Sequence, residues 1–176
     1  MKSPSFSGTR RIAFLGMFVA LAFIFSYIEA ILPFSIAIPG IKLGLANIVI
    51  VIALYAFGYK DGFIISMVRI VLVAFTFSNT FTMIYSIAGG LLSFIVMSLF
   101  KKTDNFSIVG VSVVGGVSHN IGQLFVASIL LETASIINYL PILVIGGIIT
   151  GIIIGLLSRN MLKNLRKIIS TYIKNN

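Results

Sequence analysis

The chain has 176 residues, 59% of them hydrophobic and 10% charged, with a mean hydropathy of +1.14. One soluble domain of this length cannot bury so much apolar surface, so lipid is its solvent and soluble enzymes and soluble binding modules are excluded. The net charge of +9 forms no basic stripe that would read nucleic acid, and the absence of cysteine removes disulfides, thiolate metal sites and a cysteine nucleophile.

The apolar runs are continuous and about 17 to 25 residues long, the length of spanning α-helices rather than of alternating barrel strands. Residues 1–9 are polar and serine-rich, a flexible N-terminus. Arg10 and Arg11 open span 1, Ile12 to Leu32, which is too long for a signal-peptide core and is read as retained. Pro33 ends it, and the short apolar loop to Ile41 carries Pro33 and Pro39. Span 2 runs from Lys42 to Phe57, the hinge Tyr59-Lys60-Asp61-Gly62 follows, and span 3 covers Gly62 to Phe77. Span 4 runs from Asn79 or Phe81 to Phe100, span 5 from Phe106 to Leu131, and span 6 from Tyr139 to Met161. In the basic tail 162–176, Leu162, Leu165, Ile168 and Ile169 recur at helical spacing, which predicts a stretch lying on the membrane surface.

Eleven of the 13 basic residues fall at the N-terminus, the second and fourth connections and the tail, leaving Lys42 and Arg69. The positive-inside rule then predicts six spans in one domain with both termini cytoplasmic. Arg69 lies about 13 Å above Lys60, near the midplane. An unpaired cation there costs at least about 2.5 to 3.5 kcal/mol, so it must face protein, water or an anion. The acids Asp61 and Asp104 belong to cytoplasmic turns, while Glu29 and Glu132 sit near outer helix ends; none lies obviously at its depth, and Glu29 is the one able to reach toward it through an outer cavity.

Other polar residues gather outside that level: Asn47 in span 2, Asn79 and Tyr85 in span 4, and His119, Asn120 and Gln123 in span 5. An outward-opening cavity walled by Lys42, Asn47, Arg69, Tyr85, His119 and Gln123 accounts for them, and two cations imply a ligand bearing carboxylate or phosphate. The inner half is nearly free of polar side chains, which argues against an ion pore or proton wire. His119 and Gln123 share a face at i and i+4, as interhelical hydrogen-bonding groups or as ligand contacts. With no second histidine and no cysteine, no metal site and no cofactor is expected. Gly147, Gly151 and Gly155 in span 6, and Ala13, Gly16 and Ala20 in span 1, are small-residue rows that let helices approach closely, the first inside the bundle and the second either inside it or at a partner helix. Phosphate-loop, HExxH, GxSxG and Asp-rich diphosphate motifs are absent, so no catalytic residue is assigned.

The segments I-P-G-I-K-L-G-L-A-N-I-V at 38–49, R-I-V-L at 69–72, S-I-A-G-G-L-L-S-F-I-V-M at 86–97 and F-S-I-V-G-V-S-V-V-G-G-V-S-H-N-I-G-Q-L at 106–124 resemble a bacterial family. It is known both as heptaprenyl diphosphate synthase component I and as the Gx transporter family. The transporter side of that resemblance implies a six-helix bundle in the bacterial cytoplasmic membrane, like the substrate-binding S components of energy-coupling factor (ECF) transporters. A first-helix motif, matched here by Gly16 and Ala20, would meet a coupling subunit. Separate subunits would hydrolyse ATP, and the Pro33 to Pro39 loop would gate an outer pocket. The function expected is uptake of a small anionic or isoprenoid/quinone-related nutrient. The alternatives are a non-catalytic membrane subunit of polyprenyl diphosphate or quinone synthesis and the anchor of a redox assembly.

Overall fold

The computed structural model describes residues 8–31, 44–77, 80–132 and 134–174. Among them are six α-helices, a 3-10 turn over Ala134–Tyr139, and no strand. The helices are α1 (Thr9–Ile31), α2 (Leu45–Ala56), α3 (Tyr59–Phe77), α4 (Thr80–Lys102), α5 (Ile108–Leu130) and α6 (Leu140–Lys174). Four of them, α1, α4, α5 and the 135–165 stretch reaching into α6, are long and apolar enough to cross a membrane. The chain is therefore a multi-pass helical membrane protein.

The other two differ for separate reasons. As described, α2 has 12 residues, about 18 Å of rise against a hydrocarbon layer of about 30 Å. In α3, Lys60, Asp61 and Arg69 interrupt the apolar run. Residues Ile48 to Leu54 of α2 are all buried, two full turns with no outward face. This short helix supplies the largest share of the core, and Phe18, Ala22, Ile65, Phe94, Met97, Val111, Ile154 and Leu162 from the other five helices belong to the same buried cluster. Neighbour contacts run α2–α3–α4–α5–α6 and back to α2, with α1 laid over α2 and α3.

Two expectations are corrected. Tyr59 to Gly62 is not a hinge between helices but the first turn of α3; the reversal is made at Phe57 and Gly58, where Gly58 has φ +93°. Gly62 also has to be small, since a Cβ there would stand 3.2 Å from the Leu54 backbone. The stretch after Met161 is likewise not a separate surface helix. α6 continues without a break to Lys174, Leu162 is 1% exposed inside the core and Leu165 packs against it.

One end of the bundle is tied by charge. The Arg11 guanidinium donates to Asp61 through Nε and Nη2, joining the start of α1 to the start of α3. Lys101 at the end of α4 donates from Nζ to the Leu54 carbonyl and stands over the rings of Tyr55 and Tyr59, 5.0 and 4.6 Å from their centroids. The ammonium thus meets an orphan carbonyl at the C-terminus of α2, where the helix dipole also favours a cation.

Candidate functional site

At the other end of α2 the polar side chains of α1, α2 and α3 meet. Arg69 on α3 donates from Nη1 to Ser26 Oγ of α1 at 3.3 Å, and Ser26 donates in turn to the Ala22 carbonyl at 2.9 Å. The Arg69 Nε is buried and has no partner among the described residues. Glu29 lies one turn along α1 from Ser26. Its Oε1 accepts from the backbone N–H of Gly44, the N-cap of α2, held at φ +72°. No ion pair joins Glu29 to Arg69 among the described residues. The Glu29 carboxylate is thus held at the start of α2, against the Gly44 amide.

Asn47, half-buried in the first turn of α2, belongs to the same group. Its backbone N–H donates to the Gly44 carbonyl at 2.8 Å, and its amide nitrogen lies 3.3 Å from where a Cβ on Gly44 would be.

A second polar group sits between α4 and α5. A Cβ on Gly89 would stand 2.6 Å from Gln123 Cγ and 3.1 Å from His119 Cε1, so these two side chains lie across the glycine. Gly90, the next residue, faces α3 instead, where a Cβ would stand 2.6 Å from Ile70 Cδ1; Arg69 itself turns to Ser26 of α1, and Gly89 to α5. Asn120 turns the other way. Its Nδ2 donates to the Leu143 carbonyl at 2.8 Å and lies over Gly147, pinning α5 to α6. Tyr85 is half-buried on α4, while Lys42 and Asn79 fall outside the described residues, as does the Pro33 to Pro39 loop.

The two small-residue rows are put to opposite use. Gly147, Gly151 and Gly155 press on the α5 backbone, with Cβ positions 3.0, 2.6 and 2.6 Å from Val117 N, Val113 Cα and Val109 Cα. Ala13, Gly16 and Ala20 face outward from the bundle, and a Cβ on Gly16 would meet nothing within 4 Å. Among the described residues no group of three or more His, Asp or Glu could hold a metal ion.

The model of the family described as heptaprenyl diphosphate synthase component I matches residues 18–161. The chain belongs to that family. No curated protein and no solved structure matches it. In this component I family member the matched stretch contains both polar groups, Ser26, Glu29, Asn47 and Arg69 in one and Gly89, His119 and Gln123 in the other, whereas Ala13 and Gly16 precede it.

Sequence reasoning missed Ser26, Gly89 and Gly90. A serine in an apolar helix usually bonds its own preceding turn, as Ser26 does, and so gives no sign of a second role. The Gly89-Gly90 pair inside an apolar helix was the readable signal, because adjacent glycines there mark close approach on two faces.

Proposed function

We propose that the protein is a membrane-embedded binding subunit that takes a small anionic, isoprenoid- or quinone-related ligand at Arg69, from the outer side of the bacterial cytoplasmic membrane. In this reading all six helices act as spans and the end tied by Arg11–Asp61 and Lys101 faces the cytoplasm, with both chain termini. The ligand is held by Arg69 and Asn47, with Lys42, Asn79, Tyr85, His119, Asn120 and Gln123 as further candidates. The outward face of α1 at Ala13, Gly16 and Ala20 receives an ECF-type coupling subunit, and separate ATPase subunits supply the energy, as the resemblance to S components implies.

The observation that carries the proposal is the buried Nε of Arg69 without a partner. A guanidinium presents five donors in a fixed fork, and leaving one buried and unmade costs about 1 to 3 kcal/mol or more. A carboxylate or phosphate is the group that fits that fork. Native mass spectrometry of the protein extracted from membranes tests this: wild type carries a small anion, and Arg69→Met loses it while keeping its helical circular-dichroism spectrum. Retention of the same mass by Arg69→Met overturns the assignment.

The family's printed name supports a second reading, a non-catalytic membrane component that works with a partner synthase. Under it, vesicles containing the protein raise prenyl chain elongation by that partner, and Arg69→Met leaves the effect intact.

A further inference from the structure

Glu29 has no part in the reading just given, yet it is the side chain that joins the two ends of the group around Arg69. It sits within one turn of the end of α1, half-buried, with its carboxylate on the Gly44 amide at the start of α2. There it occupies a place suited to an oxyanion, the N–H at a helix N-terminus, one turn along α1 from the Ser26 that Arg69 reaches. It does not close on that cation: Arg69 keeps an unpartnered Nε, and no ion pair joins the two.

Building on the Arg69 reading, we infer that Glu29 is an internal competitor for the ligand's anionic group. In the empty site it supplies the counter-charge for Arg69 while latched to Gly44. An external carboxylate or phosphate that pairs with Arg69 takes over the counter-charge, and Glu29, now facing a like charge, leaves the Gly44 amide for the solvent side of α1. Two anions near one guanidinium repel, and the partly exposed side chain is the one free to move. Ligand capture is thereby coupled to release of the α2 N-terminus, and the empty site is kept from trapping weakly bound anions.

The test uses the full chain in neutral detergent, titrated at constant ionic strength with inorganic diphosphate or with hexanoate and followed by thermal unfolding. A parallel arm adds phosphatidylglycerol to distinguish a lipid headgroup from a free solute. Glu29→Gln keeps an acceptor for the Gly44 amide but removes the charge. It should respond at an anion concentration lower than wild type by at least about tenfold, the effect that a like charge exerts even at roughly 12 Å with an effective dielectric of 20. Hydrogen exchange on wild type serves as a second readout that needs no variant: the bound anion should speed exchange of the Gly44 amide.

Equal anion responses in wild type and Glu29→Gln, with Arg69→Met silent, overturn the competitor role and leave Arg69 as the ligand's partner. Unchanged protection of Gly44 in the anion-bound protein also overturns it. A response of Arg69→Met equal to wild type, or none in any protein to any anion, defeats the Arg69 reading as well.

Discussion

Replacing Gly151 by alanine adds one methyl group in the middle of the tight glycine row of the α5–α6 seam. The new carbon would stand 2.6 Å from Val113 Cα, 3.1 Å from the Ser112 carbonyl oxygen and 3.2 Å from Val113 N, all backbone atoms that no rotamer change can withdraw. Carbon atoms pack best at about 3.5 to 4.0 Å, so the two helices must part by about 1 Å at this level. Gly147 and Gly155 lie one turn to either side, with α5 backbone 3.0 and 2.6 Å from their Cβ positions, and a local separation loosens those contacts too. Overpacking of this kind costs about 1 to 3 kcal/mol. For a chain of this size a loss of 2 kcal/mol lowers the melting point by roughly 4 to 8 °C. The matched control is Gly16→Ala, whose methyl group meets nothing within 4 Å and should leave the melting point unchanged. Thermal unfolding of purified protein, followed by circular dichroism, reads both. A Gly151→Ala protein that melts with wild type, or a Gly16→Ala monomer that loses as much, would refute the packing argument.

Lys101→Met removes the charged donor to the Leu54 carbonyl and the stacking on Tyr55 and Tyr59, and should cost about 2 to 3 kcal/mol in the same melting assay. Asp61→Asn breaks the one ion pair among the described residues, but the Arg11 side chain is 44% exposed, so the loss should stay under about 1 kcal/mol and shrink further in high salt. Leu162→Ala should cost about 2 to 4 kcal/mol because the side chain is 1% exposed in the core. Its neighbour Met161, 43% exposed, should tolerate alanine within about 0.5 kcal/mol. Equal effects at 161 and 162 would place the tail outside the bundle after all.

Composition and run length fixed the solvent of this protein, because a helix that must satisfy its backbone in lipid writes its length directly into an apolar stretch. Helix ends were legible to within a few residues wherever a proline or a charge marked them, as at Lys101-Lys102. The glycine row of α6 was legible as a packing face, since four-residue spacing puts small residues on one side whatever the partner. Depth along a single helix could be counted, and that singled out Arg69. What periodicity could not supply was which faces meet. The bond from the Gly44 amide to Glu29 depends on where α1 lies over α2, and Asn120 turns to α6 although His119, one residue away, turns to α4. Nor could an apolar run distinguish lipid from protein as its surroundings, for both accept the same side chains. Only the packed bundle decided that α2 is enclosed on every side and that the start of the basic tail belongs to the core.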